Sequence, residues 1–373
     1  MMWEYKQPVT ILFGNGKSRE IGDILKNEGL ENGLLVSDPF FVKSGLADSL
    51  LHAAKGRLTA VYDRLESNPT VVDVDGCAQA IRRNGCKFVA ALGGGSALDC
   101  AKAAATVCLS GDSVTKYHGT GVPLPKEHLP LIAIPTTSGT GSEVTCVAVL
   151  TDHAKGKKAP VVCENFFPSL AVIDPELTHT VPPKVTAQTG LDVLCHALEG
   201  FWSRNHQPVC DALALHAAGL VFRYLPKAFH NPKDPAAREK MSEASVIAGL
   251  AFTLPKTTAS HACSFPLTNL YHIPHGEACV LTLDYFARIN APAENGRLED
   301  FARRLGFSDV SAMADRISAL KRETGLLTDL KRFRLTEKDI DALVRASHHP
   351  NLLNNPVEIT DEMLYDLYRG LCR

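Results

Sequence analysis

The sequence predicts an α/β domain with a parallel sheet and helices on both faces, followed by an all-α domain. Three observations lead there. Short, wholly apolar runs alternate with amphipathic stretches as far as residue 174; a strand covered on both faces reads as such a run, whereas a half-exposed strand alternates. After Pro175 the apolar spacing changes to the helical i, i+3, i+4, i+7 pattern. Pro182-Pro183 punctuates the change. The domains are therefore expected at 1–178 and 179–373, and a cleft between them is the expected place for a ligand.

In order, Val9–Phe13 reads as a strand ending at the turn Gly14-Asn-Gly16, and Ser18–Asn27 as an amphipathic helix. Gly33–Ser37 and Thr59–Tyr62 are strands, and Val71–Asn84 is a helix. Lys87–Leu92 is a continuous apolar strand running into Gly93-Gly-Gly95, and Ser96–Ser110 is a helix. Pro130–Ile134 and Ala171–Asp174 complete the strands; Ala148–Val162 is more polar. Helical periodicity then covers Thr186–Trp202, Val209–Leu225, Ala236–Leu254, Leu281–Asn290, Leu298–Leu305, Ser311–Thr324, Glu337–Ser347 and Thr360–Leu371. Pro266 and Pro274 are expected to break any single continuous helix running from His261 to His275.

The 373 residues carry 45% hydrophobic and 21% charged side chains, enough for a large core. A formal net charge of −2 gives no reason to expect nucleic acid or an anionic membrane surface as partner. No unbroken apolar run reaches 18 residues, so no transmembrane span is expected, and the N-terminus lacks the shape of a signal peptide. Eleven scattered cysteines without a CxxC pair point to free thiols in a reducing cytoplasm.

Two turns follow buried strands and are candidate anion sites. Gly93-Gly-Gly-Ser-Ala-Leu-Asp99 opens a helix; its glycines let a diphosphate approach the backbone, and the first helical amides point at it. It is neither G-x-G-x-x-G nor a Walker A motif. Pro135-Thr-Thr-Ser-Gly-Thr-Gly-Ser-Glu-Val-Thr145 is the second. Asp38, at the end of an earlier strand, stands where a dinucleotide fold places an acid against the adenosine ribose, which favours NAD over NADP. In the second half, Asp192 and His196 stand four apart in a helical stretch and therefore share a face. With His261 and His275, two candidates among fourteen histidines, they would make an N3O1 set suited to Fe(II), Zn(II) or Mn(II).

In order and spacing, Phe13-Gly-Asn-Gly16, Ser37-Asp38, Asn68-Pro69, Gly93-Gly-Gly-Ser with Asp99 and Lys102, Pro135–Thr145, Asp174-Pro175, Asp192-x-x-x-His196-Ala-x-Glu199, His261, Pro274-His275-Gly276 and Asn355-Pro356 resemble the iron-containing (group III) alcohol dehydrogenases over essentially the full length. The resemblance implies one divalent metal in the interdomain cleft, on Asp192, His196, His261 and His275. It implies NAD(H) held by Asp38, Gly94, Gly95, Ser96, Thr136, Thr137, Ser142 and Lys158, with Asp99 in the same motif. It also implies a small aldehyde or alcohol as substrate and a homo-oligomer, a dimer or larger.

Many members carry a further His four residues after the third ligand; here that place is Phe265. His272 is the nearby imidazole expected to take over proton transfer. The stretch Lys256–Thr268 is similar to a subgroup that reduces short aldehydes bearing phosphonate or sulfonate, with Lys256, Thr257 and Phe265 as expected substrate residues. The competing expectations are a broad alcohol or diol dehydrogenase on neutral substrates and a dehydroquinate synthase-like lyase.

Overall fold

The structure, a computed structural model, describes residues 3–373. Its contacts divide the chain into two compact units. The first comprises Lys6–Thr137 and Gly141–His179. Its elements are β1 (Thr10–Phe13), α1 (Ile21–Asn27), β2 (Gly33–Ser37), α2 (Pro39–Lys43), α3 (Leu46–Ala53), β3 (Leu58–Tyr62), α4 (Val71–Arg83), β4 (Phe88–Gly93), α5 (Gly95–Val107), β5 (Leu131–Pro135), β6 (Val147–Asp152), β7 (Lys157–Val162) and β8 (Leu170–Ile173). Six strands form a parallel sheet in the order β1-β8-β5-β4-β2-β3, and β6 and β7 form a separate antiparallel pair.

Alternation along the central strands supplies both faces. Leu34, Val36, Val89 and Ala91 pack with Val74, Ile81 and Leu98 from α4 and α5. Leu35, Ala90, Leu92, Ile132 and Ile134 pack with Ile21, Leu25 and Leu50 from α1 and α3. Wholly apolar runs are the consequence of having to fill both cores.

The order also fixes a crevice. From β2 the chain steps outward to β3, then crosses back to β4 on the other side, so the direction reverses between β2 and β4. Ligands of such sheets bind at the carboxyl ends of strands at this reversal. Ser37 is in register with Leu92, and Gly93 with Pro135. Asp38, the Gly93 turn and Thr136 therefore share one end of the sheet.

The second unit holds residues 3–5, 138–140 and 180–373. Its helices are α6 (Pro183–Trp202), α7 (Pro208–His230), α8 (Pro235–Phe252), α9 (Ala259–Tyr271), α10 (His275–Asn290), α11 (Arg297–Arg304), α12 (Val310–Glu323), α13 (Glu337–Ala346) and α14 (Asp361–Cys372), with a 3-10 turn at Pro350–Asn354. Leu191, Leu194, Leu198 and Trp202 of α6 enter a core shared with Leu225, Met241, Leu267 and Phe286.

The structure corrects several expectations. α2 and α3 lie where no helix was anticipated; Gly45 in the left-handed region separates them, leaving each too short to show a period. β6 buries alternate residues, so Ala148–Val162 is a hairpin rather than a merely polar segment. α7 runs through Pro226 to His230, and Pro266 lies inside α9 instead of ending it; the expected break between His261 and His275 falls at residues 272–274. An interior proline costs about 3 kcal/mol, and burial of Ala259, Cys263 and Leu267 in the helical core offsets that. α7 is also long and apolar enough, by length and composition, to cross a membrane, although no unbroken apolar run betrays it. Its face through Ala214, Ala218, Val221 and Leu225 is part of the core.

Candidate active site

In the helical unit, Asp192, His196 and Glu199 lie at i, i+4 and i+7 on α6, one face of one helix. All three are buried, at 3%, 5% and 0% exposure. His261 stands in the first turn of α9 and His275 opens α10. Gly276 explains how α10 comes so near: a Cβ there would lie 2.2 Å from the Gln188 carbonyl oxygen and 3.0 Å from Asp192 Cβ, so only glycine allows the approach. Glu277 fixes the same end, accepting from Gln188 Nε2 at 2.9 Å and from the Leu327 amide at 2.9 Å.

His261 Nε2 lies 3.7 Å, and His196 Nε2 4.0 Å, from Asp192 Oδ1. The His261 ring centroid is 4.8 Å from that of His196 and 5.4 Å from that of His275. Donor atoms of Asp192, His261, His275 and Cys279 all fall within 4.8 Å of one another. Asp192 Oδ1, His196 Nδ1 and His261 Nε2 are buried without a hydrogen-bond partner. Orphaned buried acceptors are costly, and a cation among them resolves the cost, so these residues fit a divalent metal. Burial pushes Asp192 up to about 7 and holds His196 well below its usual value, with His261 and His275 adding to the effect. A bound cation keeps the carboxylate ionised and the imidazole neutral.

Glu199 is the residue that sequence reasoning did not assign. Its Oε1 accepts from the Thr258 amide (3.0 Å), the Thr258 hydroxyl (2.7 Å), the Ser260 amide (2.9 Å) and the His261 amide (3.3 Å). Its Oε2 accepts a hydrogen bond from Nδ1–H of His261. The ring is thereby held with Nε2 turned to the donor cluster, the arrangement that second-sphere carboxylates give metal-ligating histidines. Spacing three beyond His196 was the available signal. Phe252, stacked on His196 at 4.1 Å, and Cys279 were also missed.

The α/β unit carries a second candidate site, built largely from backbone. Gly94, Gly95 and Ser96 are half-buried at the start of α5. A Cβ on Gly94 would lie 3.2 Å from Thr137 Oγ1. Thr136 Oγ1 is buried with no partner. Asp38 caps α2 by accepting from the Phe40 amide (2.8 Å), leaving its other oxygen for a ligand. Asp99 accepts from Ser142 Oγ (2.7 Å) and the Val149 amide (2.8 Å). Lys102, fully buried, donates to Ser142 Oγ (2.7 Å), Thr145 Oγ1 (3.1 Å) and the Val147 carbonyl (2.9 Å). Burial pulls Lys102 down to about 8. Asp99 and Lys102 thus pin the loop after β5. Lys158 on β7 donates to Asn68 Oδ1 (2.8 Å). Amides at a helix start beside a free hydroxyl fit the diphosphate of a dinucleotide.

Of the expected substrate residues, Phe265 lies one helical turn after His261, 6.4 Å from the His275 ring. Thr257 is buried, its Oγ1 accepting from Asn351 Nδ2 (2.8 Å). Lys256 is exposed and held at φ 66°, a left-handed conformation. His272 departs from expectation: it is exposed at the C-terminal end of α9, three turns or about 16 Å of helix beyond His261. The imidazole beside Phe265 is instead His349, at 4.5 Å.

A donor cluster that fits a divalent metal, and helix-start amides that fit a dinucleotide diphosphate, are the parts a metal-dependent, nicotinamide-linked oxidoreductase needs. Residues 8–175 match the family model for iron-containing alcohol dehydrogenases, and residues 186–372 that for the C-terminal part of the same family. The chain belongs to that family, the NAD-dependent group III alcohol dehydrogenases, whose cofactors are NAD(H) and iron or another divalent metal. It is 35% identical to alcohol dehydrogenase 4 of Schizosaccharomyces pombe over 366 residues, 96% of this chain and 86% of that one. To sulfoacetaldehyde reductase of Bilophila wadsworthia it is 33% identical, covering 92% of each. The crystal structure of sulfoacetaldehyde reductase from Bifidobacterium kashiwanohense in complex with NAD+ superimposes with a TM-score of 0.98, 61% identity and coverage of 100% and 99%.

Proposed function

We propose that the protein reduces a short anionic aldehyde to its alcohol with NADH, either sulfoacetaldehyde to isethionate or phosphonoacetaldehyde to 2-hydroxyethylphosphonate. The observation that carries this is the 61% identity, over the whole chain, to a sulfoacetaldehyde reductase. NADH supplies a hydride, and the divalent metal, Fe(II) or alternatively Zn(II) or Mn(II), supplies Lewis acidity toward the carbonyl.

The chain's own residues hold and shield. Asp192, His196, His261 and His275 would bind the metal, with Glu199 keeping the His261 ring in the ligating tautomer. Gly94, Gly95, Ser96, Thr136 and Thr137 would receive the diphosphate, and Asp38 a ribose hydroxyl. Asp99 acts through the loop it pins with Ser142, and Lys158 stands near enough to Asp99 to influence its charge. Phe265 gives an apolar wall that excludes water. Lys256 and Thr257 flank the ligand helix on the side an anionic tail would take. We infer a cytoplasmic homo-oligomer, testable by light scattering.

The test is a panel of sulfoacetaldehyde, phosphonoacetaldehyde, lactaldehyde and propanal, read by loss of NADH absorbance, with wild type beside Lys256→Ala. A charged aldehyde should exceed propanal in kcat/KM by at least about tenfold, the discrimination one charge-assisted contact gives. Equal or better use of propanal would favour the broad alcohol dehydrogenase reading, which the resemblance to the yeast enzyme supports.

A further inference from the structure

The 3-10 turn at Pro350–Asn354 is laced to the segment that precedes the ligand helix α9. Asn351 Nδ2 donates to Thr257 Oγ1 (2.8 Å), and Asn354 Nδ2 donates to the Thr257 carbonyl (3.0 Å). The same Asn351 donates its backbone amide to His349 Nδ1 (3.2 Å). His349 is half-buried, and its ring packs on Phe265 with centroids 4.5 Å apart. Phe265 in turn faces the His275 ring at 6.4 Å. Phe265 follows His261 by four residues and so shares its helix face. One aromatic ring therefore separates His349 from the metal-ligand cluster.

Accepting at Nδ1 settles the tautomer: in the neutral ring the proton is on Nε2. Burial, partly countered by the Asn351 bond, holds His349 below its usual range, so the neutral ring dominates at neutral pH. Nε2 makes no hydrogen bond among the described residues. A half-buried N–H on a fixed ring, one ring-width from the ligands, is a donor awaiting an acceptor.

We infer that His349 is a specificity-determining residue of the aldehyde site, its Nε2–H donating to an oxygen of the anionic group carried by the substrate. This rests on the charged-aldehyde reading above. It also gives Phe265 a second part: the ring fills the place of an imidazole next to the ligands and supports an imidazole further out, where the tail of a two-carbon aldehyde ends.

The experiment compares wild type with His349→Ala, His349→Gln and His349→Phe on sulfoacetaldehyde and propanal, with bound metal and thermal midpoint measured for each. His349→Ala should raise KM for sulfoacetaldehyde about tenfold or more, while kcat/KM for propanal stays within about threefold. His349→Phe, which keeps the packing on Phe265 but cannot donate, should behave like Ala. His349→Gln should recover part of the loss. Metal content should not change. If wild type prefers sulfoacetaldehyde and His349→Ala keeps that preference, or loses both aldehydes equally, the assignment of His349 fails alone. If wild type shows no preference, the charged-aldehyde reading fails and this assignment goes with it.

Discussion

The two units solve the binding problem with different materials. The α/β unit offers main chain: amides at the start of α5 and glycines that leave room, with side chains such as Asp99 and Lys102 used to pin a loop. The helical unit offers side chains, drawn from three helices into a buried knot in which Asp192 Oδ1, His196 Nδ1 and His261 Nε2 have no hydrogen-bond partner. A backbone site tolerates many side-chain changes but no added Cβ. A side-chain site tolerates none of its own substitutions, and it depends on whatever orients each ring. The two ends should therefore fail independently.

The largest separation comes from His261→Ala. It removes a proposed ligand and leaves Glu199 Oε2 as a buried carboxylate oxygen without the His261 ring. Loss of most bound metal by elemental analysis is expected, with turnover down by at least about a thousandfold, as for removal of a principal electrostatic element. NADH binding, followed by cofactor fluorescence, should remain within about threefold, because nothing in the α/β unit changes. Loss of both together would end the idea of separable ends. Next, Glu199→Gln keeps shape but not charge. Metal affinity should fall by about ten- to a hundredfold, the usual penalty for an altered outer-sphere partner, and Cys279→Ser should lose little; a reversal of that order would make the thiol a true ligand.

Gly94→Ala probes the other end. Its Cβ would sit 3.2 Å from Thr137 Oγ1, a contact the hydroxyl must yield to. NADH affinity should fall by about tenfold through disturbed approach of the diphosphate, with metal content unchanged. A variant that bound NADH as wild type does would place the diphosphate elsewhere.

The same contrast explains what the sequence disclosed. The Gly93 turn is local: an apolar strand, glycines and a helix start lie within one short stretch, so it could be singled out as an anion-site candidate from the pattern, as could the turn after β5 and Asp38 at the end of β2, while the individual cofactor contacts came from the resemblance. Asp192 and His196 were also local, four apart on one helix. That His261 and His275 join them is a long-range fact, and it came from a resemblance rather than from periodicity. Glu199 was quoted within that motif, yet nothing local says that its carboxylate meets an amide run some 60 residues later. α9 was missed because proline rules are local, whereas the burial that carries Pro266 is tertiary. His272 was named for the same reason: it is close to His261 in sequence, whereas the structure puts it at the far end of α9.

The smallest expected effect concerns a buried acid in the α/β unit. Glu143 lies just after Ser142 in the pinned loop, 2% exposed, and burial raises it from 4.5 to about 7 despite the nearby Lys102. Between those values the folded chain binds more protons than the unfolded one. Stability from this group is thus fully present below about pH 4.5 and is lost as pH rises toward 7. Glu143→Gln removes the titration while keeping the size of the side chain. The difference in thermal midpoint, wild type minus variant, should therefore shrink steadily from pH 5 to pH 7.5, by a few degrees at most for a protein of this size. Metal content should be the same for both chains across that range, since the knot lies in the other unit. A difference that grew with pH would mean that Glu143 is ionised in the fold, held by Lys102, and that the loop is pinned by an ion pair instead of by neutral burial.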